Sequence, residues 1–238
     1  MGGGIFQVPA LMLTLILATA NAHKVAEVRA ILGEGFQVRS MLDIPGAPVP
    51  EETADSFGGN ALIKAVNLAA WLGENQFGME DAVAVLADDS GLEVEALAGA
   101  PGVQSARFAG LDNGRQSNTP DAENNAKLIR LMEAIPKATR AARFRRVLAF
   151  TPCIKPELLA PEDSLRGVLA SQTHFFEGTC EGEITTCPRG RGGFGYDPLF
   201  IPKGYTTSMA ELGEVEKNRI SHRAKALGKL VAALQQQP

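Results

Sequence analysis

A chain of 238 residues, 45% of them hydrophobic, has material for one large domain or for two lobes with cores of their own. Its 23 Lys and Arg against 27 Asp and Glu give a formal charge of -4, which argues against the broad cationic surface of a protein held on nucleic acid. A small phosphate ligand needs only a few converging cations and stays open. The apolar run Pro9–Ala18 is too short to span a bilayer and has no basic segment before it. Cys153, Cys180 and Cys187 show no paired spacing, as expected of free thiols in a cytoplasmic chain.

Residues 1–10 read as an N-terminal extension, and Leu11–Ala18 as a buried strand. Thr19-Ala20-Asn21 predicts a turn, and Val25, Val28, Ile31 and Leu32 give His23–Leu32 a helical stripe. A polar connection runs through Pro50. Phe57–Leu72 predicts a helix interrupted early by Gly58-Gly59. Ala82–Ala87 predicts a strand, with Asp88-Asp89-Ser90-Gly91 at its C-terminal end, where open α/β sheets gather ligands. Ala122–Ile135 reads as a helix and Arg143–Phe150 as a strand. Ser171–Phe176 and Glu183–Thr186 read as antiparallel neighbours, with Gly178 and Gly182 punctuating the turn. The prolines of 152–167 oppose one long regular element. Ala224, Leu227, Leu230, Val231 and Leu234 define an amphipathic C-terminal helix. The pattern is that of a mixed α/β protein.

Chemistry concentrates in three places. Asp88 and Asp89 are consecutive, so they point apart in a regular strand, while a turn could redirect one of them. Their hard oxygens suit magnesium, which bridges readily to phosphates, and Glu51-Glu52 is a second source of carboxylate. Taken alone, DDSG also reads as a solvated acidic turn. Asn60 and Lys64, spaced i,i+4, share a helix face, where Lys64 could neutralise phosphate and Asn60 fix loop or ligand. The segment TANAHK (Thr19, Ala20, Asn21, Ala22, His23, Lys24) offers hydroxyl, backbone N–H groups and ammonium, though it is no Walker motif.

Downstream, GRGGFGYDPLF (Gly190–Phe200) places Phe194 to stack on a base and Asp197 to accept from a ring N–H; Tyr196 packs beside Phe194 or lends a hydroxyl. A core aromatic turn is the plain alternative. Lys217, His222 and Arg223 form a late cationic group, with Ser221 as a helix cap.

Read as an ordered set, these motifs resemble the non-canonical purine nucleoside triphosphate pyrophosphatase family, also called inosine triphosphatase or Ham1-like. Thr19–Lys24 is similar to its opening TGNxxK. Glu51-Glu52-Thr53, Phe57, Asn60-Ala61 and Lys64-Ala65 resemble its EET…F…NA…KA stretch. Ala87–Leu92 is ADDSGL, Ala100–Phe108 fits APGxxSARF, Gly192–Phe200 is GGFGYDPxF, and Lys217 with Ser221–Leu227 fits K…SHRxxAL. The resemblance covers positions 11 to 235.

It implies an elongated two-lobed α/β fold over residues 1–238, with a central mixed sheet, a cleft between lobes and assembly as a homodimer. It further implies magnesium-dependent hydrolysis of inosine, deoxyinosine and xanthosine triphosphates to monophosphate and pyrophosphate, without a stable nucleic-acid or membrane partner. Asp89 would be the catalytic base, aided by Lys64. Glu52 and Asp89 would hold magnesium, with Asp88 a further candidate. Thr19–Lys24, Lys64 and Lys217 would surround phosphates, with Asn60 and Ser90 near the ligand. Phe194, Gly195, Tyr196, Asp197, His222 and Arg223 would recognise the purine. The sequence departs from the family at Ala20 (commonly Gly), at Asp55 and Gly59 (frequently Gly and Glu), and at Arg191. A pyrophosphatase for another modified nucleotide, a nucleotide-binding regulator with little turnover and a structural α/β protein are the other readings.

Overall fold

A computed structural model describes residues 13–33, 36–77, 82–115 and 117–235. The expected N-terminal extension and the start of the strand expected from Leu11 lie outside the described residues. Every side chain of β1 (Thr14–Leu17) is buried, as a strand covered on both faces requires. The turn after it opens α1 (Ala22–Leu32): Lys24 N–H donates to Asn21 Oδ1 at 3.3 Å, an N-cap bond. β2 (Gln37–Ser40) runs parallel to β1 through the stretch read as a connection, because a four-residue strand carries too little alternation to register.

α2 (Phe57–Glu74) passes straight through Gly58-Gly59 instead of breaking there. Ser56 Oγ caps it by accepting from Gly59 N–H at 3.2 Å, and Ala61, Ala65, Leu68, Ala69 and Leu72 bury one face. β3 (Val83–Val94) outruns its expected end, so the acid pair lies inside the strand. Its neighbour β1 stops at Leu17↔Leu86, however, and the acids sit just past that partner's end. α3 (Asp121–Met132) and β4 (Ala141–Pro152) follow. The 152–167 stretch makes a 3-10 turn at Pro156–Leu158 and leads into α4 (Leu165–Ser171), which packs on α2.

The hairpin expected around Gly178 and Gly182 is instead one strand, β5 (His174–Ile184). Both glycines lie inside it, and the register Gly182↔Pro202 with antiparallel β6 (Phe200–Pro202) holds the backbone extended where the composition suggested a turn. α5 (Glu214–Ile220) and α6 (His222–Gln235) complete the chain, with Ser221 Oγ capping α6 through Ala224 N–H at 3.1 Å.

The protein is thus α/β with a mixed six-stranded sheet in the order β2-β1-β3-β4-β5-β6. It divides into two compact units. Of the described residues, the first comprises those within 1–89, 147–177 and 226–238. It carries apolar clusters around Ile16, Val85, Leu68 and Leu72, and around Leu15, Leu86, Val28 and Leu227. The second comprises 90–146 and 178–225 and is built around Leu92, Leu128, Met132, Phe144 and Phe200. Among the described residues no helix is long and apolar enough to cross a membrane. Cys153, Cys180 and Cys187 are free.

Candidate active site

In the first unit, strand alternation sends the two aspartates to opposite faces. Val83, Val85 and Ala87 join the cluster beneath α2, whereas Ala84 and Leu86 join the cluster beneath α1. Asp89 continues the first series and Asp88 the second, and their partners follow. Lys24 Nζ of α1 donates to Asp88 Oδ2 at 2.9 Å. Asn60 Nδ2 of α2 donates to Asp89 Oδ2 at 3.0 Å, and Lys64 Nζ lies 3.9 Å from Asp89 Oδ1.

Asn60 is fully buried, and its Oδ1 accepts from Ala54 N–H at 2.9 Å, tying the loop before α2 to the helix that faces Asp89. Lys64 Nζ donates to Glu52 Oε1 of the same loop at 3.1 Å. Glu52, Asn60, Lys64 and Asp89 therefore form one group, in which Asn60 and Lys64 face the same way as their i,i+4 spacing implied. Burial pushes the Asp89 carboxyl up from 3.8 to about 6. Lys64 and the Asn60 hydrogen bond oppose this rise, while Glu52 and Asp88 add to it. A lysine at 3.9 Å is too far to cancel the loss of solvent, so burial wins.

Among the described residues no set of three or more His, Cys, Asp or Glu side chains converges. Glu52 and Asp89 nevertheless already share a cation, the Lys64 ammonium. Magnesium that draws its remaining ligands from water and phosphate needs only one or two carboxylates, so this hard-oxygen pair fits it. Asp88 faces the other way and pairs with Lys24, so the structure does not group it with that pair.

The opening segment is partly committed to its own turn. Thr19 Oγ1 accepts from Asn21 N–H at 3.2 Å, and the Thr19 carbonyl accepts from Ser40 Oγ at 3.2 Å. Ala20 and Ala22 are exposed, and the side chain of His23 lies outside the described residues. Ala20 is not among the residues with positive φ, so the loop does without the family's glycine by using ordinary dihedrals. Ser90 follows Asp89 in β3 and is half-buried.

In the second unit, Phe194–Asp197 makes a tight turn. Asp197 N–H donates to the Phe194 carbonyl at 3.3 Å, and Phe194 N–H donates to Asp197 Oδ2 at 3.1 Å. Lys217 Nζ donates to the same Oδ2 at 2.6 Å in a buried ion pair. Lys217, expected beside phosphates, is thus grouped with the aromatic segment. A Cβ on Gly193 would lie 2.1 Å from Asp197 Oδ2, so only glycine lets the chain pass this pair. The Arg223 guanidinium lies 4.3 Å over the Phe194 ring, a cation–π contact, and Phe194 stays 39% exposed. His222 is buried and stacks on Phe144 at 5.0 Å. Tyr196 is also buried, and its hydroxyl donates to the Ser105 carbonyl at 2.9 Å.

Ser105 stands in the APGxxSARF match with no role given to it, and Asp121 and Asn125 lie outside every motif. Asp121 and Asn125 both bond the Gly195 peptide, and polar residues at a helix start carry no signal beyond that of a cap.

The model of the Ham1 family matches residues 15–233. A dITP/XTP pyrophosphatase of Bacillus licheniformis is 43% identical over 226 residues, covering 94% of this chain and 100% of that protein. A HAM1 protein from Coxiella burnetii, of solved structure, superposes with a TM-score of 0.73 at 36% identity, covering 94% of this chain and 100% of that one. The Ham1 protein of Staphylococcus aureus gives the same TM-score, 0.73, and the same coverages at 31% identity.

Proposed function

The chain belongs to the Ham1 family, and from that premise we propose how its residues perform the family's reaction. It hydrolyses inosine, deoxyinosine and xanthosine triphosphates to the monophosphate and pyrophosphate, in keeping with the dITP/XTP pyrophosphatase activity named for its relative. The observation that carries the mechanism is the buried group of Asp89, Asn60, Lys64 and Glu52.

Asp89 is the general base. Asn60 fixes the Asp89 carboxylate by donating to its Oδ2, and the carboxylate so held orients a water toward the α-phosphorus. A carboxyl held at about 6 is mostly ionised at neutral pH, yet more basic than an exposed aspartate, as general-base catalysis favours. The water oxygen bonds to the α-phosphorus, its proton passes to Asp89, and pyrophosphate leaves with the bridging oxygen. Lys64 and Lys24 stabilise negative charge on the phosphates, and Asp88 holds the Lys24 ammonium. Glu52 and Asp89 would hold magnesium, which supplies Lewis-acid neutralisation of the phosphate oxygens.

The second unit supplies base recognition. Phe194, stiffened by Arg223, is the stacking surface, and the Asp197–Lys217 pair holds the turn that carries it. Discrimination against adenine follows from its amino group and unprotonated ring nitrogen, which leave the hydrogen-bond set for a 6-keto purine unmet. The family resemblance also supports a homodimer, which sedimentation equilibrium tests directly.

Asp89→Asn tests the base. It should lower kcat by roughly 10²–10⁴-fold while the far-ultraviolet circular dichroism stays that of the parent chain. Turnover at the parent rate would remove Asp89 from the mechanism.

A further inference from the structure

The four-residue turn bearing Phe194 is gripped more heavily than its own closure needs. The Phe194–Asp197 backbone bond and the Asp197 carboxylate already close it, and Tyr196 anchors it to Ser105. Two further contacts come from α3, and both fall on one peptide residue. Gly195 N–H donates to Asp121 Oδ2 at 2.6 Å, and Asn125 Nδ2 donates to the Gly195 carbonyl at 3.0 Å. Asp121 and Asn125 are spaced i,i+4, so one face of α3 presents an acceptor and a donor together.

The Asn125 orientation is fixed by this contact, since exchanging its oxygen and nitrogen would set two acceptors against each other at 3.0 Å. The arrangement leaves Asn125 Oδ1 buried without a hydrogen-bond partner among the described residues. A buried acceptor left unmet is unfavourable, and an apolar residue at 125 would avoid that cost. The Nδ2 contact is therefore what the position provides. What the grip immobilises is Phe194, the exposed ring of the turn.

We propose that Asp121 and Asn125 are positioning residues, which clamp the Gly195 peptide so that Phe194 presents a fixed stacking surface to the purine base. This rests on the purine reading of the second unit. Neither residue touches the reacting atoms, so loss of the clamp weakens nucleotide binding and spares the chemical step.

The test compares Asp121→Ala, Asp121→Asn and Asn125→Asp in the full chain. KM and kcat are measured with inosine triphosphate and magnesium, and amide hydrogen exchange is followed at Phe194–Asp197. Asp121→Ala and the isosteric Asn125→Asp should raise KM about 10-fold with kcat within about 2-fold, and speed exchange at Gly195 by about 10-fold or more. Asp121→Asn keeps an acceptor and should recover most of the parent KM, which loss of a helix-start charge alone would not allow. Unchanged KM in Asp121→Ala and Asn125→Asp would overturn the proposal, as would an equal loss in Asp121→Asn. If the parent chain does not turn over inosine triphosphate, the function proposed above fails. Exchange then decides the clamp alone, and unchanged protection in Asp121→Ala sinks it.

Discussion

Asp89 is ionised against the preference of its surroundings. Its folded pKa, about 6, lies above the ordinary 3.8 because burial outweighs Lys64 and Asn60. The folded protein therefore binds this proton more tightly than the unfolded chain does. Stability falls as pH rises from about 4 to about 6 and stays lower above that window. With no nucleotide or divalent cation bound, Asp89→Asn should stabilise the protein at pH 8 by up to ~3 kcal/mol, and by almost nothing at pH 4. Urea unfolding at the two pH values checks it, and an equal gain at both would show that the carboxylate is not the cause. Phe194 gives a second expectation at this scale. Removing a base-stacking ring forfeits ~1–3 kcal/mol, so Phe194→Ala should raise KM for inosine triphosphate by about 10-fold or more while magnesium binding persists. An unchanged substrate profile would reject the stacking role.

At the scale of the element, the start of α2 explains a departure from the family. A Cβ on Gly59 would lie 2.6 Å from Ala54 Cβ and 3.0 Å from Ser56 Oγ, the cap of the same helix. The loop that carries Glu52 comes too close to the helix here for any side chain. Restoring the family's residue with Gly59→Glu should therefore destabilise the chain by ~1–3 kcal/mol despite the better helix former, and displace Glu52 from Lys64. Thermal melting reads the first effect and weakened magnesium binding the second; a more stable variant would contradict the packing argument. The elements also show what the sequence made legible. β1 and β4 announced themselves as apolar runs, because their cores are covered on both faces, and α2 and α6 through apolar residues on one helix face. β2 and β6 were too short to leave a pattern, and the glycines of β5 imitate a turn that pairing with β6 forbids. Asn60 with Lys64 was readable from helical spacing alone. The separate directions of Asp88 and Asp89 depended on whether β3 continued, which its composition did not reveal. Asp121 and Asn125 were invisible, because their partner lies about 70 residues away in sequence.

At the scale of the whole molecule, two compact units divide the chemistry. The first holds the acid–lysine group and the second the aromatic–cationic group, and the boundary in β3 falls between Asp89 and Ser90. Composition left a small phosphate ligand open, but the substrate class came from the ordered motifs, and the family match over residues 15–233 agrees with it. The chain is expected to split inosine-like triphosphates between the α and β phosphates with the aid of magnesium. That expectation is tested most directly by product analysis with inosine, xanthosine, adenosine and guanosine triphosphates, each with magnesium and with a chelator. The expected result is monophosphate plus pyrophosphate, dependent on magnesium and favouring inosine and xanthosine triphosphates. Diphosphate plus inorganic phosphate, or equal turnover of adenosine triphosphate, would contradict it.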